Sequence, residues 1–108
     1  VTAACMMVKR SVHEDIGGFD ENFEVAFNDV DYCLRVRELG KTIVFHGFVE
    51  LYHYESRSRG LEDTPEKKER FNREAGLFRK RWKSILDKGD PYYNPNLTLE
   101  DSNCTLKW

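Results

Sequence analysis

Apolar positions in this chain come in short bursts separated by polar punctuation, and the spacing changes from burst to burst. Residues 2–9 are mostly apolar and predict a buried strand. Ser11-Val12-His13-Glu14 has the form of a capping box: the Ser hydroxyl takes an orphan N–H and the Glu reaches back. The helix it opens is brief, because Gly17-Gly18 stops it. Residues 19–27 read as a loop, but one holding Phe19, Phe23 and Phe27, so it is expected to be packed down. Asn28 suits an N-cap, and Asp29 and Asp31 fall in the first turn, where the helix dipole favours anions. Val30, Tyr32, Cys33, Leu34, Val36 and Leu39 give that helix a broad apolar face before Gly40 ends it.

Residues 41–54 are β-rich, with Gly47 expected to divide or bend them into two strands. A polar loop follows to residue 63. Thr64 as N-cap and Pro65 at the first helical position open a long helix. Its stripe is Phe71, Ala75, Phe78, Trp82, Ile85 and Leu86, at i, i+4, i+7, i+11, i+14 and i+15, ended by Gly89 and Pro91. The tail is irregular, and its Tyr pair and terminal Trp suggest packing. The organisation expected is residues 1–63 as an α/β half, 64–90 as a long amphipathic helix and 91–108 as an irregular tail.

Composition narrows this to one small domain. The chain has 108 residues, 33 % charged and 40 % hydrophobic, with enough Phe, Tyr and Trp for a core. No apolar run is long enough to cross a membrane, and no basic-then-apolar signal opens the chain. It begins at Val1, which suggests a piece of something longer or a processed chain. Cys5, Cys33 and Cys104 are odd in number and widely spaced, so buried, reduced thiols in a cytoplasmic protein are expected. Residues 64–90 carry nine Lys or Arg against five Asp or Glu, and the remainder eight against fourteen. A basic helix beside an acidic body is a solvated face or an anion site. A pI near 5.9 and the lack of a basic, aromatic stripe argue against a nucleic-acid binder.

The densest chemistry lies at Asn28-Asp29-Val30-Asp31. Carboxylates at i and i+2 of a helix start do not share a face, so one metal is not expected between them. One can leave the helix mouth and act as a general base, or both compensate the helix dipole, with Asp31 paired to Arg35 at i, i+4. His53 sits late in an apolar segment before Arg57-Ser58-Arg59-Gly60. It suits a metal or phosphate ligand, or a structural imidazole. Arg forks suit phosphate oxygens, and exposed surface Arg is the plain alternative.

Gly17-Gly18-Phe19-Asp20-Glu21, Asn28-Asp29-Val30-Asp31-Tyr32-Cys33-Leu34-Arg35-Val36-Arg37-Glu38-Leu39-Gly40 and Leu51-Tyr52-His53-Tyr54-Glu55-Ser56-Arg57-Ser58-Arg59-Gly60 occur in an order that resembles family 2 glycosyltransferases. The tail Asp90-Pro91-Tyr92-Tyr93-Asn94-Pro95-Asn96-Leu97 resembles the ending of bacterial rhamnosyltransferase-like members that act in surface polysaccharide synthesis. The resemblance covers residues 2–99. It implies an α/β fold: the C-terminal, acceptor-side half of a GT-A nucleotide-diphospho-sugar transferase, with few strands plus three helices. The nucleotide-binding strands and metal motif belong to the other half.

In that family an acidic pair begins the helix and its Asp is the base, which implies Asp29 as catalytic. Asn28 departs from the pattern, so a second carboxylate role is absent or moves to Asp31. The resemblance implies Gly18, Phe19, Asp20, Glu21 and Asp31 on the acceptor side, Arg57 and Arg59 on the diphosphate, and His53 as a metal or diphosphate ligand. Phe78-x-x-Arg81-Trp82 lacks the Gln of processive members, so Trp82 reads as core. The implied cofactor is Mn²⁺ or Mg²⁺ in the full-length enzyme, with none bound to this piece. The implied partners are a nucleotide-sugar donor and a glycan or lipid-linked acceptor, at the inner face of the membrane. Unpaired strand edges would make the piece self-associate. The alternative reading is a non-catalytic scaffold that docks a partner or an anionic membrane surface through the basic helix.

Overall fold

The computed structural model describes residues 2–54, 64–101 and 103–107. Contacts divide the chain into two compact units, Val1–Phe78 and Arg79–Trp108. The helices are α1 (Arg10–Asp15), α2 (Asn28–Glu38), α3 (Pro65–Arg81) and α4 (Lys83–Leu86), preceded by a 3-10 turn at Ala3–Cys5.

In the first unit, α1 starts two residues earlier than the capping box predicts. Lys9 is the N-cap and offers no side-chain bond, while Ser11 lies inside the helix. Glu14 instead pairs with Arg10 one turn back, at 2.7 Å. The helix stops where expected: Gly17 and Gly18 take φ of +73° and +75°, and their N–H groups donate to the carbonyls of Glu14 and His13. Gly18 has a second constraint, since a β-carbon there would lie 3.3 Å from His13 Nε2.

Val12, Tyr32 and Val36 form the core between α1 and α2, with Met6, Ile16 and Ile43 packed against it. Burying side chains of this kind contributes roughly 1.5–3 kcal/mol each. A second packing centre is aromatic. Phe23 is buried, and its ring meets Phe78 of α3 edge-on at 6.2 Å. Phe27 stacks on Phe78 at 5.0 Å and lies 5.5 Å from Phe71. The Phe-rich loop is thus packed down, as its composition predicts.

The expected strands do not form. Among the described residues the only β pairing is an isolated antiparallel bridge. Residues 2–9 are a 3-10 turn and an extended run whose Met7 is fully exposed. Residues 43–54 are irregular, and Val44, Phe45, Phe48, Leu51 and Tyr52 face outward. Apolar, β-prone residues make a strand only when a neighbouring strand completes the ladder, and no such neighbour lies beside them among the described residues.

α3 begins as read: Thr64 Oγ1 accepts from the N–H of Lys67 at 3.3 Å, and Pro65 is the first helical residue. It does not continue to residue 88. Arg81 ends it, Trp82 takes φ −104° and ψ 18°, and α4 follows. Ala75, Phe78 and Trp82 are buried, but Ile85 and Leu86 are exposed.

In the second unit the tail closes on itself. Leu97 bridges Leu106, the N–H of Thr98 donates to Thr105 and that of Lys107 to Asn96. Tyr93 Oη donates to the carbonyl of Thr98 at 2.7 Å, while Tyr92 is exposed and Trp108 lies outside the described residues. Cys5 and Cys104 are exposed rather than buried, and Cys33 is half-buried.

Candidate functional site

The entry to α2 carries the unusual geometry. Phe27, its N-cap, sits at φ 63°, in the left-handed region. A bulky residue there costs on the order of 1–3 kcal/mol and persists only where surroundings over-determine it. Here the Phe71 and Phe78 rings hold the side chain. The N–H of Asp31 donates to the Phe27 carbonyl at 2.8 Å, so the first turn of α2 hangs from this residue.

Asn28 is the first helical residue rather than the N-cap. Its Oδ1 accepts from the N–H of Asp29 at 2.7 Å, and Asp29 Oδ1 accepts from that of Val30 at 2.9 Å. These bonds serve donors that the helix itself leaves orphaned. Asp29 Oδ2 accepts from the N–H of Ala3 at 3.1 Å. Asp29 is half-buried. A carboxylate has about four lone-pair positions, so these two bonds leave it able to accept from a hydroxyl.

Asp31 points the other way. It has no exposed surface, and its Oδ2 accepts from Arg35 Nε at 2.8 Å. Arg35 Nη1 donates to the Ile16 carbonyl at 2.8 Å, tying α2 to the end of α1, and the guanidinium lies over the Tyr32 ring. Arg35 Nη2 is buried without a hydrogen-bond partner among the described residues. The two carboxylates therefore diverge, as their i, i+2 spacing implies. Asp31 reaches no surface at which it could meet an acceptor.

Tyr32 sits under Phe19, with ring centroids 4.6 Å apart, and its hydroxyl is 2.9 Å from His13 Nδ1. Burial pushes the Tyr32 phenol up from its ordinary value; Arg35 pulls it down and Cys33 raises it, both less strongly. Gly18 is buried beside His13, Phe19 is partly exposed and Glu21 is exposed. Asp20 shapes the loop: its Oδ1 accepts from the N–H and the Nδ2 of Asn22.

His53 is exposed, beside the stacked Tyr52 and Tyr54 rings. Arg57 and Arg59 lie outside the described residues. No three His, Cys, Asp or Glu side chains among the described residues gather to hold a metal ion. Mn²⁺ and Mg²⁺ need several oxygen ligands, more than the described residues bring together. Nor is any helix among them long and apolar enough to cross a membrane.

One residue at this site escapes the sequence reading. Glu74 of α3 has no exposed surface, and its carboxylate accepts from the N–H groups of Glu24 and Ala26. Its signal was a charged residue inside an apolar stripe, three after Phe71 and four before Phe78.

No family model matches the chain, and no solved structure matches it. Among curated proteins, it is 50 % identical over 107 residues to an uncharacterized protein y4gI of Sinorhizobium fredii, covering 98 % of this chain and 12 % of that protein. It is 40 % identical over 108 residues to the O-antigen biosynthesis protein RfbC of Myxococcus xanthus, covering 99 % and 8 %. It is 32 % identical over 62 residues to the N-acetylglucosaminyl-diphospho-decaprenol L-rhamnosyltransferase of Mycobacterium tuberculosis, covering 57 % and 20 %. The chain thus spans a small part of each relative's length. The names of the last two suggest a glycosyltransferase-related family in polysaccharide biosynthesis.

Proposed function

We propose that this chain is the acceptor-side portion of a glycosyltransferase that moves a sugar from a nucleotide-diphosphate donor to an acceptor hydroxyl, with inversion. The observation that carries the reading is Asp29: a half-buried carboxylate with acceptor capacity left, in the first turn of a helix whose N-cap is held in a strained conformation. Strain of this kind collects at sites where position matters more than stability.

In the step proposed, a carboxylate oxygen of Asp29 takes the acceptor hydroxyl proton. The hydroxyl oxygen bonds the anomeric carbon from the face opposite the leaving group. The bond from that carbon to the diphosphate oxygen breaks, and the diphosphate leaves with the electron pair. Gly18, Phe19, Asp20 and Glu21 shape the acceptor side, and Asp31 supports them from beneath through Arg35. His53, Arg57 and Arg59 face the diphosphate. Mn²⁺ or Mg²⁺ belongs to the expectation for the full-length enzyme. The described residues do not gather to hold it, and no step here runs through it. The fold proposed is the C-terminal half of a GT-A domain, in which residues 43–54 pair with strands from outside this chain. A lipid-linked diphosphate acceptor at the inner membrane face fits the class of acceptor in the Mycobacterium relative's name.

The direct test offers nucleotide-diphosphate sugars and a lipid-linked glycan to the full-length protein and follows nucleotide release. Transfer that needs one donor supports the reading, and no consumption of any donor removes it.

A second reading, a scaffold on an anionic membrane, is favoured by one feature of the second unit. Arg79, Lys80, Lys83 and Lys88 are exposed near the exposed Ile85 and Leu86. Co-sedimentation with anionic but not neutral vesicles, without donor consumption, would favour it.

A further inference from the structure

We infer that Glu74 is a positioning residue for Asp29: a buried carboxylate on α3 that fixes the entry of α2 by gripping the backbone in front of it. The inference rests on the reading of Asp29 as the base.

Glu74 has no exposed surface and stands on the same helix as Phe71 and Phe78. A carboxylate in such surroundings is strongly disfavoured unless its oxygens are satisfied. Here each oxygen takes a different backbone donor: Oε1 accepts from Glu24 at 3.1 Å, and Oε2 from Ala26 at 2.6 Å. One planar group bonded to two N–H groups two residues apart fixes both the place and the tilt of the backbone between them. Arg73, the neighbour of Glu74, adds an exposed pair with the Glu24 side chain at 3.4 Å.

The next residue, Phe27, is held by the same helix through its ring, against Phe71 and Phe78. Those residues lie three before and four after Glu74, so a polar grip and an aromatic clamp act on consecutive loop residues from one helical face. Phe27 then supplies the carbonyl for the first helical bond of α2, and Asp29 follows two residues later. The left-handed turn at Phe27 needs this: without a fixed Ala26, the chain would relax to φ below zero and swing the first turn.

Packing alone does not call for a carboxylate at this position. Apolar side chains commonly replace buried charged groups without loss of stability. A carboxylate is needed only to hold loop N–H groups, and the loop it holds leads directly into the candidate base.

The test compares wild type, Glu74→Gln, Asp29→Asn and the double variant in the full-length transferase, below the unfolding temperature of each. Misplacing a reacting group by about 1 Å costs about 10²-fold. Glu74→Gln should therefore lower kcat by about 10-fold to 10²-fold, with the KM of donor and acceptor changed by less than about 2-fold. The double variant should be no slower than Asp29→Asn, because a residue acting only through Asp29 has nothing left to position.

A kcat unchanged in Glu74→Gln, or a Glu74 loss that multiplies in full with that of Asp29→Asn, overturns the inference and leaves the reading of Asp29 standing. Full turnover in Asp29→Asn overturns that reading and the inference together. Should Glu74→Gln not fold, Glu74→Asp takes its place, and amide exchange in the wild-type chain decides independently. Slow exchange at Glu24 and Ala26 supports the grip, whereas exchange at the rate of unprotected amides overturns it.

Discussion

Asp31 and Arg35 form an ion pair at 2.8 Å, one turn apart on α2, in which the carboxylate has no exposure and the guanidinium side chain keeps 19 %. The pair is also a strut, because the same guanidinium donates to Ile16 at the end of α1. Removing Asp31 leaves a largely buried cation with only a carbonyl for partner. Asp31→Ala should cost about 3 kcal/mol, and a double-mutant cycle with Arg35→Ala should return a coupling of about 1–3 kcal/mol. Urea unfolding measures both, and a midpoint unmoved by Asp31→Ala would show that the pair does not hold the helices together.

Asp29 predicts the opposite pattern. In the full-length enzyme Asp29→Asn should lower kcat by about 10²–10⁴-fold. The fold should hold, since the amide oxygen still accepts from Ala3 or Val30. Thermal unfolding and donor binding near wild type, with transfer lost, are the expected pair of results. Near-normal turnover would remove Asp29 from the role.

Tyr32 gives a pH dependence of definite sign. Burial holds its folded pKa above the ordinary 10.0, so the folded state keeps the phenol proton longer than the unfolded state does. That contribution to stability is fully present below pH 10.0 and is lost as pH rises through the folded value. Tyr32→Phe should flatten the alkaline limb of a plot of Tm against pH. It should also cost about 1 kcal/mol at neutral pH for the lost bond to His13. An alkaline limb as steep as that of wild type would assign it to other groups.

Self-association should centre on residues 43–54. Phe48 is 96 % exposed and Tyr52 93 %, with Phe45 and Val44 beside them. An apolar run of this extent rarely stays uncovered in water. The 108-residue chain should sediment faster as its concentration rises. Phe48→Ser with Tyr52→Ser should suppress this, whereas a clean monomer at high concentration would argue against it.

His53 lies on the same exposed segment. His53→Ala should leave stability within about 0.5 kcal/mol. In the full-length enzyme it should slow transfer less than Asp29→Asn does and weaken donor binding. A variant with unchanged donor affinity and rate would take His53 out of the site.

What the sequence discloses and what it hides divide along physical lines. Caps, glycine stops and i, i+4 pairs are local, so the end of α1 at Gly17, the start of α3 at Pro65 and the Asp31–Arg35 pair are all legible. The burial of Phe23 and the half-burial of Phe27 follow from the cost of leaving aromatics in water. The apolar runs at 2–9 and 41–54 do not form strands in this structure, because a strand is a relation between segments, and β-prone residues carry no sign of whether a partner is present. The true N-cap is not legible because Phe27 adopts a conformation that its own chemistry disfavours and that its contacts with α3 hold. Glu74 is hidden for the same reason: its role depends on amides about fifty positions earlier.

That separation bears on how the molecule assembles. The bonds joining α1 to α2, from Tyr32 to His13 and from Arg35 to Ile16, each span 19 positions, whereas those from Glu74 to Glu24 and Ala26 span 50 and 48. Closing the longer loop costs only about 0.8 kcal/mol more in chain entropy, but that cost is met before any contact repays it. The Tyr32 cluster can therefore gather while residues 65–78 are still unattached, and the left-handed turn at Phe27 is set only when they arrive. In reverse, α3 can lift away with the α1–α2 pair intact, and the candidate base then loses its alignment well before the chain loses its core.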